Sequence, residues 1–291
     1  MADLIEISSG ALTAAINPFG AELSSLKDAK GRELMTDANP DFWGGRAPLL
    51  FPIVGRVNGD ALRVDGQSYP MPKHGFARKS PFALVTHSAD QAQFRLTDSA
   101  ATRAAYPFAF QLDVTFAVEG ASVLTKVAIF NPAAEPLYTS FGFHPAFAWP
   151  LPYGAPRMDH RVRFASAEPG RLKAITADGL IAAGNRASPV ADNEILLTDA
   201  LFADDALVWD PVTAQGLRYG PPTGPALDIS FPNTPRLGIW TKPGAAFVCI
   251  EPWHGIADPA GFTGDYRDKP GVFAVAPGET WRCSMRVTLV A

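Results

Sequence analysis

The stretch "VCIEPWHGIADP", residues 248 to 259, places Glu251 directly behind Val248, Cys249 and Ile250, and follows it with Pro252 and Trp253. A strand that emerges into solvent often ends on such a charge. Here Pro252 is expected to stop strand pairing at the next residue, and Trp253 to supply a rigid wall beside the carboxylate. Partial desolvation favours the neutral carboxyl and raises its pKa toward the working range of a general base.

Other candidates for chemistry are sparse. Of the five histidines, His74 in "KHGFARK" and His144 in "FGFHPAF" lie among glycine, proline and aromatic residues, while His87, His160 and His254 have weaker settings. Arg46 and Arg56 flank the apolar block Pro48 to Val54, and Arg78 follows His74 closely. Guanidinium groups beside such turns suit hydroxyl, carboxylate or phosphate recognition. There is no His-x-His, no His-x-x-x-His, no cysteine pair at ligand spacing, no Gly-x-Ser-x-Gly elbow and no glycine-rich phosphate loop. The expectation is therefore a site without metal or cofactor. A carboxylate, two histidines and arginines remain, a set fitted to acid–base chemistry.

The elements that must hold these residues read as β structure. In "FQLDVTFAVEGASVLTKVAIFNP", Phe110, Leu112, Val114, Phe116 and Val118 alternate with polar residues, the chain turns near Glu119-Gly120, and alternation resumes at Val123. That pattern predicts an antiparallel hairpin. Short runs such as "LTAAINP", "ALVWD", "ALDISF", "LGIWT", "AFVCIEPW" and "WRCSMRVTLV" recur at the spacing of an all-β protein. "DSAATRAAYPF" carries a helical turn or two before Pro107. Glycine and proline are spread through all 291 residues rather than gathered in a linker, so one domain, 1–291, is expected: a large antiparallel β-sandwich, with a closed barrel as the alternative.

Composition narrows the partners. A formal net charge of −4 with no basic run removes the footprint of a nucleic-acid binder. No apolar window is long enough to span a bilayer, and "MADLIEISSG" lacks the parts of a secretory signal, so the expected location is cytoplasmic. Cys249 and Cys283, far apart in sequence, read as thiols in a reducing compartment.

Taken in order, "RAPLLFPIVGR", "HGFAR", "YPFAF", "FGFHPAF", "LFADDAL", "LGIWTKPGAAFVCIEPWHGIAD" and "KPGVFAVAPGE" resemble the blocks of the aldose 1-epimerases, or galactose mutarotases, in their LacX-like branch. They span nearly the whole chain. The resemblance implies a single-domain β-supersandwich that binds a sugar on its concave face, with no metal or nucleotide. It places the base glutamate on Glu251, the acid histidine on His144, the second site histidine on His74 and a sugar-binding arginine on Arg56. A sugar-binding aspartate falls on Asp204 or Asp205, with Asp205 preferred, and Trp253 forms a wall. In the hexose-6-phosphate branch, arginines near these blocks bind phosphate, which points to Arg46 and Arg78; the Arg46 to Pro48 spacing departs from that branch.

The implied reaction interconverts α and β anomers. Glu251 takes the C1 hydroxyl proton while His144 donates one to the ring oxygen. Ordinary pKa values of about 4.3 and about 6.5 predict a narrow active window, with Glu251 on its acidic limb and His144 on its basic limb. Two other readings compete. A glycoside hydrolase or lyase would pair Glu251 with Asp205 or Asp258 and leave both histidines idle. A non-catalytic sugar-binding or regulatory protein would keep the cleft alone.

Overall fold

Strand Gln111–Glu119 buries Leu112, Val114, Phe116 and Val118 and turns Gln111, Asp113 and Thr115 toward the opposite face. The chain reverses through Gly120, at φ +56°, and pairs in antiparallel register with Ser122–Phe130. The expected hairpin is therefore present, in a computed structural model that describes residues 3–291. The first two residues of the N-terminal stretch read for a leader lie outside the described residues.

That hairpin lies within a nine-stranded antiparallel sheet. Its spatial order is Glu194–Leu196, Arg161–Phe164, Gly216–Gly220, Ala226–Ser230, Thr280–Val290, Ser122–Phe130, Gln111–Glu119, Gln91–Thr97 and Ala83–His87. A seven-stranded sheet runs Phe141–Gly142, Phe247–His254, Arg236–Trp240, Leu207–Trp209, Leu172–Ile175 and Ile181–Arg186, with Ala146–Ala148 also paired to Phe247–His254. A three-stranded unit, Ile5–Ser8, Leu12–Asn17 and Glu22–Asp28, and two small strand pairs complete the β structure. The fold is an all-β sandwich of large antiparallel sheets. The brief helix anticipated before Pro107 is Ala100–Arg103, capped by the Ser99 hydroxyl on the Thr102 N–H.

The two large sheets meet through aromatic side chains. Trp209 of one packs edge-on against Phe164 of the other with centroids 5.5 Å apart, and Phe147 lies 6.4 Å from Tyr219. Strand period then divides the seven-stranded sheet. Leu207, Trp209, Leu237, Ile239, Val248 and Ile250 join the main core. Their neighbours Val208, Trp240, Cys249 and Trp253 belong to smaller clusters on the other face, together with Leu50, Val54 and Ile256. Glu251 falls on this second face, two residues from Cys249 and from Trp253.

The apolar block Pro48 to Val54 forms a buried segment, bridged to the seven-stranded sheet from Leu50 to Gly142 and to the His74 bend from Phe51 to Gly75. It closes one side of the second face.

Candidate active site

Strand Phe247–His254, which carries Glu251, runs on through Pro252 past its expected end, and two short strands, one before and one after His144, pair antiparallel with it. Gly142 pairs with Trp253 and Ala146 pairs with Cys249, so the shared register sets His144 opposite Glu251. The backbone bonds continue through the interruption: the Phe143 N–H donates to the Pro252 carbonyl and the Ile250 N–H to the Pro145 carbonyl. The result is a separation of 3.2 Å between His144 Nε2 and Glu251 Oε2, both side chains buried. The pair is close without a directed hydrogen bond, and Glu251 Oε2 and His144 Nδ1 have no partner.

Aromatic rings fix the imidazole. Trp43 stacks on His144 with centroids 4.9 Å apart at 22°, while Trp240 meets it edge-on at 6.1 Å. Trp253 fits beside Glu251 because glycines face it: a Cβ on Gly238 would come within 2.6 Å of the indole, and one on Gly142 within 2.7 Å. The sequence reading of Trp253 as a wall acquires its physical basis there.

His74 reaches the same place from a strained bend. Its φ is +67°, and the next residue, Gly75, lies so close to the Phe51 carbonyl that a Cβ would approach to 2.1 Å. The His74 N–H donates to the Gly55 carbonyl at 2.7 Å, and the Gly55 N–H donates to His74 Nδ1 at 3.1 Å. With Nδ1 accepting, neutral His74 carries its proton on Nε2 and offers a donor. The His74 ring stands edge-on to His144, centroids 5.6 Å apart.

These groups line a cavity of about 610 Å³, together with Asp205, Lys73, Arg78, Trp240 and Lys242. Asp205 holds its turn at φ +73° by accepting the Ala206 N–H. Asp204 is not in the lining; its carbonyl accepts a bond from Arg186. Arg78 presents a guanidinium whose buried Nε has no partner. Of the sequence candidates, Glu251, His144, His74, Asp205, Arg78 and Trp253 converge on this cavity.

Arg56 and Arg46 do not. The Arg56 guanidinium is held by both oxygens of Asp60 at 2.7 Å and by the Asp178 carbonyl, turned away from the cavity. Arg46 donates to the Thr36 and Asp37 carbonyls and, through its backbone N–H, to Glu22. Nearby acceptors satisfy both side chains, which proximity in sequence to the apolar block did not reveal. Conversely, Trp43, Lys73, Trp240 and Lys242 were not singled out; Trp240, in "LGIWT", is the residue that pairs with Cys249.

The weaker histidines have other settings. His160 is buried and accepts the Leu151 N–H, His254 packs against Trp281, and His87 contacts the Glu6 carbonyl. A larger groove of about 770 Å³ runs along the nine-stranded sheet, but no histidine lines it. Its arginines are paired with Glu194 and Asp228.

Burial governs the electrostatics. It pushes the Glu251 carboxyl well above the usual carboxylate range; Lys73 opposes that shift and Asp205 adds to it. Burial also drives His144 down to about 3, with Arg78 and Lys73 adding to the fall. His74 is likewise lowered, first by burial and then by His144, Lys73 and Arg78. The ordinary pKa values behind the expected narrow window do not hold here: this pocket disfavours charge on both partners.

Comparison with known proteins covers nearly the whole chain. The aldose 1-epimerase family model matches residues 3–288. The chain belongs to the aldose 1-epimerase family. Chromosomal LacX of Lactococcus lactis subsp. lactis is 30% identical over 297 residues, covering 98% of this chain and 99% of that protein. Among solved structures, a galactose mutarotase related enzyme from Lactobacillus acidophilus superposes with a TM-score of 0.90 at 29% identity, covering 99% and 97% of the two chains. A galactose mutarotase-like protein from Lactobacillus casei gives 0.92 at 26% identity, covering 99% and 100%. Among the described residues of this aldose 1-epimerase family member, no helix is long and apolar enough to cross a membrane.

Proposed function

We propose that the protein is a mutarotase that interconverts the α and β anomers of a hexose or hexose phosphate, acting in the cytoplasm and needing no cofactor. The observation that carries this reading is the Glu251–His144 pair, 3.2 Å apart and facing a cavity of sugar size. A pair with one proton between two acceptors can take a proton from one substrate oxygen and give one to another. As carboxylate and imidazolium, Glu251 removes the C1 hydroxyl proton while His144 protonates the ring oxygen, and the ring opens to the aldehyde. Rotation about C1–C2 and the reverse transfers close it on the other face. Each positioned group contributes about 10²–10⁴-fold.

The neighbours have matching tasks. Lys73 favours the ionised Glu251 that the first transfer requires. The Nε2–H of His74 is a donor for a sugar oxygen, and Asp205 is an acceptor for hydroxyl groups. Trp253 and Trp43 supply flat apolar surface for the sugar ring.

The two-carboxylate hydrolase reading loses one of its candidates. Asp258 is buried outside the cavity lining, where its carboxylate accepts the Asn58 N–H at 2.8 Å and faces Lys269 at 3.8 Å.

Polarimetry or exchange NMR with freshly dissolved α-glucose, α-galactose and glucose 6-phosphate tests the proposal. Acceleration of anomer exchange for at least one of them is expected. No acceleration of any, with a folded protein, overturns the reading.

A further inference from the structure

The second face of the seven-stranded sheet brings the distant His144 to two further ligand types, Cys249 and Glu251. A ring nitrogen of His144, the Cys249 sulfur and a Glu251 oxygen all lie within 4.8 Å of one another, and all three residues are buried. Cys249 and Glu251 share a face because they are two residues apart on one strand. His144 joins them through the register that sets it opposite Glu251. A second observation points to a ligand: Glu251 Oε2 and His144 Nδ1 are buried polar atoms without partners.

We propose that His144, Cys249 and Glu251 form an inhibitory binding site for a soft divalent cation of the zinc class. Imidazole, thiolate and carboxylate are all ligands of such ions, and a hard ion such as Mg²⁺ has no use for the sulfur. Tetrahedral coordination with bonds of about 2.0–2.3 Å separates ligand atoms by about 3.3–3.6 Å. The observed spread therefore closes on an ion by side-chain rotation of roughly an ångström. The fourth position opens to the cavity and takes water or a sugar hydroxyl. On binding, the thiol proton and the proton held by the Glu251–His144 pair both leave to solvent, because a coordinating cation requires deprotonated ligands. Glu251 and His144 then hold the metal rather than a transferable proton. Inhibition rests on the acid–base role proposed above, whereas binding does not.

The two halves are tested separately. Cd²⁺ is titrated into the full chain, and the ultraviolet thiolate-to-metal charge-transfer band is followed in the native protein, in Cys249→Val and in Cys283→Ala. One equivalent of Cd²⁺ is expected to raise the band in the native protein and in Cys283→Ala, and not in Cys249→Val. Mutarotation is then assayed against free Zn²⁺. Basal activity of Cys249→Val is expected to be unchanged, and its half-inhibiting Zn²⁺ concentration to rise more than about tenfold. Absence of the band, its persistence in Cys249→Val, or equal Zn²⁺ inhibition of native and Cys249→Val proteins overturns the site. A thiolate band in a protein without mutarotase activity retains the metal site and rejects the catalytic reading instead.

Discussion

His144 Nε2 lies 3.2 Å from Glu251 Oε2, and burial moves the two groups in opposite directions, the imidazole down to about 3 and the carboxyl well above its ordinary value. The neutral pair, with one proton on the carboxyl, contains the same number of protons as the carboxylate–imidazolium pair. The form that the proposed reaction uses is thus a redistribution of that proton rather than a gain or loss. In that reaction substrate oxygens would supply the hydrogen bonds that the free pair lacks, and Lys73 leans the balance toward the carboxylate.

Glu251→Gln and His144→Asn keep side-chain shape and remove proton transfer. Each is expected to lower kcat by about 10²–10⁴-fold while sugar binding and the circular dichroism spectrum are retained. The double variant should lose little more than the worse single one, because the two residues act as a unit. Polarimetric rates near normal in either single variant would defeat the assignment.

The pH profile of kcat/KM should be broad rather than narrow. Below about 3 both groups carry a proton, and above the raised Glu251 value neither does. Between those limits the pair holds one. Its acidic limb therefore belongs to His144 and its alkaline limb to Glu251, the reverse of the assignment from ordinary values, although each limb is a property of the coupled pair. A profile measured alongside ¹³C titration of the Glu251 carboxyl checks this. A basic limb near 6.5 that follows His144 would contradict it.

Stability of the Glu251→Gln variant should exceed that of the native protein increasingly as pH rises. The folded state keeps a proton on Glu251 that the unfolded chain releases near pH 4.3, so native stability falls as pH climbs from there through the folded value. The slope is at most about 1.4 kcal/mol per pH unit, and glutamine has none. Urea unfolding at pH 5 and pH 8 measures it. A gain no larger at pH 8 than at pH 5 contradicts a raised carboxyl.

Arg78 and Arg46 should part company. Arg78 lines the cavity with an unpartnered Nε, and Lys73 lines it as well. Both are placed to meet an anionic substituent, and loss of a charged hydrogen bond costs about 1.5–3 kcal/mol. Arg78→Ala is expected to reduce kcat/KM for glucose 6-phosphate about tenfold or more, with a smaller effect on glucose. Arg46→Ala should leave KM for both sugars unchanged, because its side chain serves the Thr36 and Asp37 carbonyls. Equal losses for the two sugars in Arg78→Ala would exclude an anion-binding role.

Alternation along Gln111–Glu119 and Ser122–Phe130, and the paucity of helical period, determined an all-β sandwich from sequence, because a strand's two faces are written in its odd and even residues. The blocks around Glu251, His144 and His74 likewise marked these residues by type and local company. Tertiary structure decided what no local pattern encodes. His144 faces Glu251 only because two short strands pair with one long one in a common register, and Arg56 and Arg46 leave the site only because Asp60, Thr36 and Asp37 offer closer acceptors. Trp43 and Trp240 close on His144 from distant segments. The direction of the acid–base pair's pKa shifts was decided there as well, since desolvation depends on everything packed around a group and not on its neighbours in the chain.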